Sequence, residues 1–283
     1  MARAAVLGRL TWQDGTVREI RRETAAAASI VIDLPDWSGH TAGQHVDVRL
    51  TADDGYSAQR SYSIASAPEP GRVELTVQRL PDGEVSPYLT ETLQPGYPLE
   101  LRGPIGGWFV WDPASSGPVL LVAGGSGIVP LMSMIRSRAA AGSQAPFQLL
   151  YSVRGPADAL YATELSQRQR QADGLRVDYV YTRTVPAGWP HPPGRLSAAV
   201  LAELTRGDDP PLFSPGGLPP EPPAPDRRSA PSGGEPPGHR AGQAPAVFVC
   251  GPTGFVEAAA NLLITAGHQA GAIKTERFGP SGG

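Results

Sequence analysis

The stretch VLLVAGGSGIVP, residues 119–130, decides the fold of the second half of the chain. Its first part, VLLVAGG (119–125), is a continuous apolar run that ends in glycines. Such a run is typical of a parallel strand that is buried on both faces. A helical pattern, LMSMIRSRAAAG (131–142), follows directly. The stretch therefore predicts a strand, a glycine turn and a helix, the opening unit of an α/β sheet.

The alternation of strand and helix continues to the end of the chain. The predicted strands are FQLLYSV (147–153), VDYVYT (177–182), AVFVCG (246–251) and IKTERF (273–278). The predicted helices are ALYATELSQRQRQADG (159–174), SAAVLAEL (197–204) and TGFVEAAANLLITAG (253–267). Thr253 is a suitable N-cap for the last helix and Gly267 a suitable C′ residue. This order predicts a doubly wound parallel sheet.

The first hundred residues have a different period. QHVDVRL (44–50) and RVELTVQRL (72–80) alternate apolar and polar residues, and turn signals such as DDG (53–55) and PDG (81–83) surround them. Short strands at this spacing indicate an antiparallel barrel or sandwich. The pattern changes at DPASSGP (112–118), so we predict one domain over 1–112 and another over 113–283.

Composition excludes several classes of protein. The chain has 283 residues, a net charge of −3 and no apolar run long enough for a membrane span. It therefore carries no broad attraction to nucleic acid or anionic membrane. Cys250 is the single cysteine, which excludes an intrachain disulfide and a cysteine-ligated iron–sulfur cluster. We find no targeting signal and expect a cytoplasmic protein.

Residues 207–245 fit neither domain, because proline and glycine dominate them. Such a composition cannot bury enough apolar area to offset the entropy of ordering. We predict a disordered insertion in the second domain. A proline-rich docking site for a partner is the alternative.

Two glycine-containing junctions follow predicted parallel strands. AGGSGIVP (123–130) and CGPTGF (250–255) lie where ligands of open α/β sheets collect. Glycines at such a turn allow a diphosphate to approach the backbone at a helix N-terminus. A tight turn that needs glycine for geometry alone is the alternative. Cys250 is either a buried small hydrophobe or part of the wall that holds a ring.

RSYSIAS (60–66) combines an arginine, a tyrosine and three serines. Taken alone, this pattern predicts a polar edge strand. However, RSYS, GPIGGWF (103–109), GGSGIVP, CGPTGF and ERFG occur here in one order. That order resembles the ferredoxin–NADP reductase superfamily, most closely the FAD and NAD(P) reductase modules of bacterial oxygenase reductases and flavohaemoproteins. The resemblance covers about residues 10–279, apart from the insertion.

The resemblance implies a six-stranded antiparallel β-barrel that binds FAD and a doubly wound α/β domain that binds NAD(P). Arg60 then pairs with the FAD diphosphate, Tyr62 packs on the isoalloxazine ring, and Ser63 offers its hydroxyl to flavin N5. Ser61 points away, since neighbouring strand side chains face opposite sides. Ser86 of GEVSPYL (83–89) reaches the diphosphate.

The resemblance also implies a nicotinamide site. The residues that it assigns to nucleotide binding are Gly124, Gly125, Gly127, Thr182, Arg183, Gly251, Pro252 and Phe278. Cys250 lies beside the nicotinamide and Phe278 covers the flavin face. Glu276 is a carboxylate near the active centre, or alternatively an exposed charge at a strand end. Thr182 and Arg183, with Arg154 and Arg195 nearby, favour NADP over NAD because they could hold a 2′-phosphate.

The implied activity is that of an FAD-dependent NAD(P)H oxidoreductase. Hydride passes from the nicotinamide to flavin N5, and the electrons go to a separate acceptor such as a ferredoxin or a partner oxidoreductase. With no cluster-binding module or globin-like extension expected in the chain, the acceptor is another molecule. The alternatives are a flavin-binding electron-transfer subunit without independent turnover and a ferric-chelate or flavin reductase.

Overall fold

The computed structural model describes residues 10–171, 174–205 and 244–279. Six antiparallel strands form the first half. They are β1 (Trp12–Thr24), β2 (Ala27–Asp33), β3 (His45–Thr51), β4 (Ser57–Ser63), β5 (Arg72–Gln78) and β6 (Pro98–Ile105). Their order is β4-β3-β6-β1-β2-β5, and a bridge between Ile64 and Leu75 joins the two outer strands. The predicted six-stranded antiparallel barrel is confirmed.

The barrel core follows from the period of two in its strands. Val46 and Val48 of β3 are fully buried, as are Val73, Leu75 and Val77 of β5. These alternate positions point to one side of each strand and share one apolar cluster. The intervening positions carry Asp47, Glu74 and Thr76, which are polar but also buried, and each of them hydrogen-bonds to a neighbouring segment.

A five-stranded parallel sheet forms the second half. Its strands are β7 (Val119–Gly124), β8 (Phe147–Val153), β9 (Leu175–Tyr181), β10 (Ala246–Pro252) and β11 (Ile273–Phe278). The order is β11-β10-β7-β8-β9, so the chain winds outward from β7 and then returns to its other side. The switch point therefore lies between β7 and β10, where the carboxyl ends of the strands leave a crevice.

Helices cover both faces of this sheet. They are α1 (Ile128–Ala140), α2 (Ala162–Arg170), α3 (Ala198–Thr205) and α4 (Thr253–Thr265). Residues of α1 and α2 share a core cluster with Leu121 of β7, whereas α3 and α4 share another with Leu120 and Val122. Successive side chains of β7 thus face opposite helix layers, which explains its continuous apolar run. The predicted doubly wound sheet is confirmed.

Two local predictions about helices were wrong. The helix expected over 159–174 is only α2, because Tyr161 has a φ of 56° and breaks the helical path just before Ala162. Thr253 is not an N-cap: β10 runs to Pro252, which holds the cap position in an extended conformation. Thr253 is instead the first residue of α4.

The end of α4 agrees with the prediction for Gly267. Its φ of 97° lies in the left-handed region that glycine tolerates. The Gly267 amide donates to Ile264 O and the His268 amide to Leu263 O. This pair of bonds is a Schellman motif, which satisfies two carbonyl groups at the end of the helix.

The segment 106–118 connects the two halves. Phe109 and Trp111 within it are buried in the core of the α/β half, against Phe248 and Phe147 respectively. The predicted boundary between residues 112 and 113 falls in this segment and stays a prediction. Residues 207–243 of the predicted disordered insertion lie outside the described residues. In the part of the chain that is described, no helix is both long and apolar enough to cross a membrane.

Candidate active site at the junction of the barrel and the α/β half

Three predicted site residues, Ser63, Cys250 and Glu276, lie at the junction of the two halves. His45, which was not predicted, lies there with them. Ser63, the last residue of β4, is opposite His45 of β3 in the barrel register. Cys250 of β10 is opposite Glu276 of β11 in the parallel sheet. His45 Nδ1 lies 3.8 Å from Glu276 Oε1. This contact brings the end of the RSYS strand to the carboxyl edge of the α/β sheet.

Glu276 is held in a position where its charged form is disfavoured. Its Oε2 atom is buried and has no hydrogen-bond partner among the described residues. Burial raises the pKa of its carboxyl group to about 7. The same desolvation lowers the pKa of His45. Near neutral pH, therefore, Glu276 is able to gain or lose a proton, whereas an exposed strand-end glutamate would remain ionised.

Cys250 is buried, with 1% of its surface exposed, and belongs to the core of the α/β half. Burial and then the nearby Glu276 raise the pKa of its thiol well above the usual value. A thiol in this setting stays protonated and is a poor nucleophile. Its place at the carboxyl end of β10 keeps it next to the crevice.

Arg60 lies on the outer part of β4 with its guanidinium group half-exposed. Its Nη2 donates to Glu84 Oε2 at 2.9 Å, and Glu84 also accepts a hydrogen bond from the Tyr56 hydroxyl. The Arg60–Glu84 pair is about half exposed on both sides. An ion pair of this kind contributes little stability. A diphosphate with its greater charge is therefore able to replace the Glu84 carboxylate.

Tyr62 and Ser61 have the separate directions that the sequence predicts for neighbouring strand residues. Tyr62 packs against the barrel core, and burial raises the pKa of its hydroxyl to about 12. Ser61 donates to Asp47 Oδ1 on the neighbouring strand. The roles predicted for Tyr62 and Ser63 toward a flavin stay predictions.

Ser86 is buried and accepts a hydrogen bond from the Leu80 amide at 3.0 Å. Its carbonyl group accepts a further bond from the Thr90 hydroxyl. These bonds fix the loop that precedes a short π-helical turn at Tyr88–Thr92. The hydroxyl of Ser86 is thus engaged within the loop, and its predicted contact with a diphosphate stays a prediction.

The three glycines of the first nucleotide turn are required for different structural reasons. A Cβ on Gly124 would lie 2.5 Å from the Phe255 ring, and a Cβ on Gly127 would lie 2.1 Å from Cys250 O. Both are needed for close packing against β10 and α4. Gly125 has a φ of 55° and open space where its Cβ would be. Of the three, Gly125 is the one whose backbone leaves room for a ligand.

The second nucleotide turn, at the end of β10, lies beside the terminal aromatic. Pro252 is opposite Phe278 in the β10–β11 register. Phe278 is exposed over 37% of its surface. A Cβ on Gly251 would meet the Phe255 ring and the backbone of Gly124, so the two turns pack directly on each other. These residues lie at the carboxyl ends of β7, β10 and β11, beside the switch point of the sheet.

Basic residues follow the neighbouring strands β8 and β9. The amides of Arg183 and Thr184 donate to Arg154 O, and the Thr182 amide donates to Val153 O. Arg154 and Arg183 are both exposed. Within the described ranges, neither guanidinium group makes an ion pair. They form a positive site at the carboxyl edge of the sheet.

The residues present fit an FAD group. Arg60 supplies a half-exposed charged donor of the type that binds a diphosphate bidentately. Tyr62 supplies an aromatic ring beside it, and Glu276 Oε2 is a buried polar atom without a partner in the described structure. A buried polar atom without a partner calls for an explanation, and a ligand bound at this junction would supply one.

Comparisons with known proteins match a different domain family to each half of the chain. The chain matches the oxidoreductase FAD-binding domain over residues 16–110 and the oxidoreductase NAD-binding domain over residues 121–218. Ferredoxin–NADP reductase B from Sorangium cellulosum is 36% identical over 185 residues, which are 65% of this chain and 71% of that protein. The chain belongs to the ferredoxin–NADP reductase superfamily. Its halves are an FAD-binding and an NAD(P)-binding domain.

Other members of the superfamily are similar over more of the chain. The glycine betaine monooxygenase reductase subunit of Chromohalobacter salexigens is 32% identical over 241 residues, 84% of this chain. The chain spans only 55% of that relative, about half its length. Among solved structures, the FAD/NAD-binding domain of nitric oxide dioxygenase from Vibrio cholerae has a TM-score of 0.73 at 23% identity. That match covers 95% of this chain and 99% of the other.

The sequence analysis did not predict His45 and Glu84 as site residues. His45 opens the alternating stretch HVDVRL, where a histidine gives no signal of its own beyond its polarity. Glu84 was visible as the acidic residue of GEVSPYL, but its pairing with Arg60 depends on a strand and a loop that only the tertiary structure brings together.

Proposed function

We propose that this chain is an FAD-dependent NAD(P)H reductase that passes electrons to a separate acceptor. The observation that carries the proposal is the junction at which Ser63 and His45 of the FAD-binding domain meet Glu276 and Cys250 of the NAD(P)-binding domain. The His45–Glu276 distance of 3.8 Å is the contact that spans it. A reductase needs such a junction because its two cofactor rings must stack.

When bound, FAD supplies the chemistry of accepting a hydride and releasing the electrons. The chain supplies binding, orientation and protection from water. Arg60 holds the diphosphate, Tyr62 supports the ring system, and Ser63 donates its hydroxyl toward the ring. Glu276, with a pKa of about 7, holds or releases a proton at its carboxyl group beside the ring.

Phe278 and the glycine turns determine access to the ring. Phe278 is exposed at the end of β11, so it can cover the ring face and move aside for a nicotinamide. Gly125, Gly251 and Pro252 line the crevice that receives the dinucleotide, and the N-terminal end of α1, which follows this turn, favours its diphosphate. Cys250 stays a protonated thiol that packs beside the nicotinamide.

NADPH is the proposed reductant, with NADH as the alternative. Thr182 and Arg183 follow β9, and Arg154 follows β8, so the charges converge where a 2′-phosphate would bind. Arg183 and Arg154 are exposed, which leaves their charges accessible to a nucleotide. NADH offers only a hydroxyl group at this position and gains less from them.

The proposed acceptor is an oxygenase component or a ferredoxin. Supporting it, one relative is named a reductase subunit of glycine betaine monooxygenase and another the reductase component of a naphthalene dioxygenase and salicylate hydroxylase system. The second is 28% identical over 95% of this chain. We also propose a cytoplasmic location, in which both nicotinamides are available.

Steady-state assays on purified protein test the proposal. The bound flavin is released and identified by chromatography, and reduction of an artificial dye is followed with NADPH and with NADH. We expect FAD, turnover with both nucleotides and a higher kcat/KM with NADPH. A colourless preparation that takes up no FAD would overturn the reductase assignment. A flavin-containing protein without dye reduction would favour the electron-transfer subunit.

A further inference from the structure

Arg136 makes several hydrogen bonds between the two domains. It lies on α1, and its Nη1 donates to Ala65 O at 3.0 Å and to Glu74 Oε1 at 2.7 Å, both in the FAD-binding domain. Its Nε and Nη2 donate to the two carboxylate oxygens of Glu164 in α2. One guanidinium group thus joins the barrel to two helices of the other domain.

These contacts are shielded from water. The Arg136 side chain is 13% exposed and that of Glu74 is 11% exposed. The Arg136 guanidinium also lies 5.1 Å over the ring of Tyr161. Burial would lower its pKa, but the hydrogen bond and charge of Glu164 and the charge of Glu74 outweigh this, and the pKa is raised. The group is permanently charged, and its geometry is fixed by several partners at once.

The position of Arg136 connects the two cofactor sites. Ala65 follows the end of β4 by two residues, immediately after Ser63 and Ile64. At the other side, α1 begins directly after the glycine turn at 125–127. Ser133, one turn before Arg136, donates to Ser66 O at 2.6 Å. The flavin strand and the nucleotide turn are therefore attached to each other through one face of α1.

We propose that Arg136 is a positioning residue that sets the approach of the nicotinamide to the flavin ring. It fixes the end of β4 against α1, so that the two ring sites keep one separation and one angle. In this role it acts through the strand and the helices that it holds. This inference rests on the proposed reductase function, and hydride transfer depends steeply on the geometry of the two rings.

The protein offers a matched control for this role. Arg168 pairs with the same Glu164 carboxylate at 2.7 Å, within α2, and is 22% exposed. In the described part of the chain it makes no ion pair with the barrel. Arg136→Met and Arg168→Met therefore each remove one cationic partner of Glu164, but only the first also removes hydrogen bonds to the barrel. Arg136→Lys keeps the charge and loses the fork of donors.

Two measurements on the flavin-containing protein test the proposal. Stopped-flow absorbance gives the flavin reduction rate at saturating NADPH and the dissociation constant of the nucleotide. Spin labels on Asp53→Cys and Glu257→Cys, exposed positions in the two domains, give the distance distribution between them. The native Cys250 is buried and does not take a label.

In Arg136→Met we expect unchanged flavin content, a nucleotide dissociation constant within about threefold of wild type, and a reduction rate lowered by about tenfold or more. The distance distribution broadens. Arg136→Lys recovers part of the rate, and Arg168→Met behaves as wild type in both measurements.

An unchanged rate in Arg136→Met would overturn the proposal, as would an equal loss in Arg168→Met. A broadened distance with a normal rate would reduce Arg136 to a structural contact. If Arg136→Met does not fold, Glu74→Gln removes the barrel partner and carries the same expectations. Wild-type protein that no nucleotide reduces would reject the proposed function instead, while the label distances would still report whether Arg136 holds the domains together.

Discussion

Arg183 is the residue on which the choice of nicotinamide depends most directly. Its side chain is exposed beside Arg154 at the carboxyl edge of the sheet. We expect Arg183→Ala to raise KM for NADPH by about tenfold, because a charged hydrogen bond to the 2′-phosphate is lost. KM for NADH should change little. Steady-state kinetics with both nucleotides measure this, and equal effects on the two would reject the 2′-phosphate role.

Arg60 is the residue expected to retain FAD. Replacing Arg60 with alanine removes the charged fork that faces Glu84 and leaves the barrel core untouched. We expect the dissociation constant for FAD to rise by about tenfold to a hundredfold, measured by flavin fluorescence on titration. Arg18→Ala is the control, since Arg18 is an exposed arginine of β1 that pairs only loosely with Asp33. Equal flavin retention in both variants would contradict the assignment.

Glu276 gives the protein a pH dependence with a definite sign. The pKa of its carboxyl group is raised from 4.5 to about 7 by burial. Its contribution to stability is therefore complete below the unfolded-state pKa and is lost as the pH rises through about 7. Between about pH 4.5 and pH 7, the free energy of unfolding of the wild type should fall by at most about 3 kcal/mol relative to that of Glu276→Gln.

Thermal unfolding of both proteins between about pH 5 and pH 8 measures that difference. His45 and Cys250 face Glu276 and are the same in both proteins. The lowered pKa of His45 makes the free energy of unfolding rise with pH, which is opposite to the effect of Glu276. Because His45 is present in both proteins, its effect cancels when the two are compared. Parallel stability curves for the two proteins would show that Glu276 titrates normally.

The turn between β7 and α1 is the element where packing and ligand binding can be separated. Gly127→Ala would place a Cβ against the backbone carbonyl of Cys250, which cannot move without shifting β10. We expect it to destabilise the protein by more than about 2 kcal/mol in denaturant unfolding. Nucleotide affinity then falls as a consequence of the shifted turn.

Gly125→Ala is the matched variant in the same turn. No atom stands within 4 Å of its added Cβ, and only the left-handed backbone opposes it. The cost should be about 1–2 kcal/mol. If the nucleotide diphosphate passes over this residue, the Kd of the Gly125→Ala variant for NADPH should rise even under conditions in which the variant is fully folded. A Kd unchanged in the folded variant would place the diphosphate elsewhere.

The whole molecule is joined by a polar seam as well as by apolar packing. Besides Arg136, the Tyr161 amide donates to Glu23 Oε2, and Lys274 Nζ donates to Val110 O at 3.1 Å. Domains in one chain often share only weak interfaces. Here the domains share hydrogen bonds in a largely buried setting, from Arg136 to Ala65 O and Glu74 and from Ser133 to Ser66 O, and domain separation would break all of them.

We therefore expect one cooperative unfolding transition for the two domains. Calorimetry of the FAD-containing protein should give equal calorimetric and van't Hoff enthalpies. Glu74→Ala leaves Arg136 and Arg21 without their shared carboxylate and should lower the transition temperature or resolve two transitions. Two separate transitions already in wild type would mean that the seam does not couple the domains.

The sequence by itself determined the two sheets, their strand types and the family. Periods of two and continuous apolar runs are local consequences of burying one face or both faces of a strand, as Val46 and Val122 illustrate. Motifs such as RSYS and CGPTGF carry their own backbone requirements in consecutive residues. These signals do not depend on knowing which distant segment lies opposite.

Only the tertiary structure decided which side chains meet. His45 and Glu276 are far apart in the chain, as are Arg136, Glu74 and Glu164, and no local pattern pairs them. The raised pKa of Glu276 likewise depends on burial by the opposite domain. Tyr161, with a φ of 56°, makes the predicted helix begin only at Ala162, and the sequence pattern gave no sign of this backbone angle. Pairings, burial and charge states are properties of the assembled chain, because they arise from contacts that form only on folding.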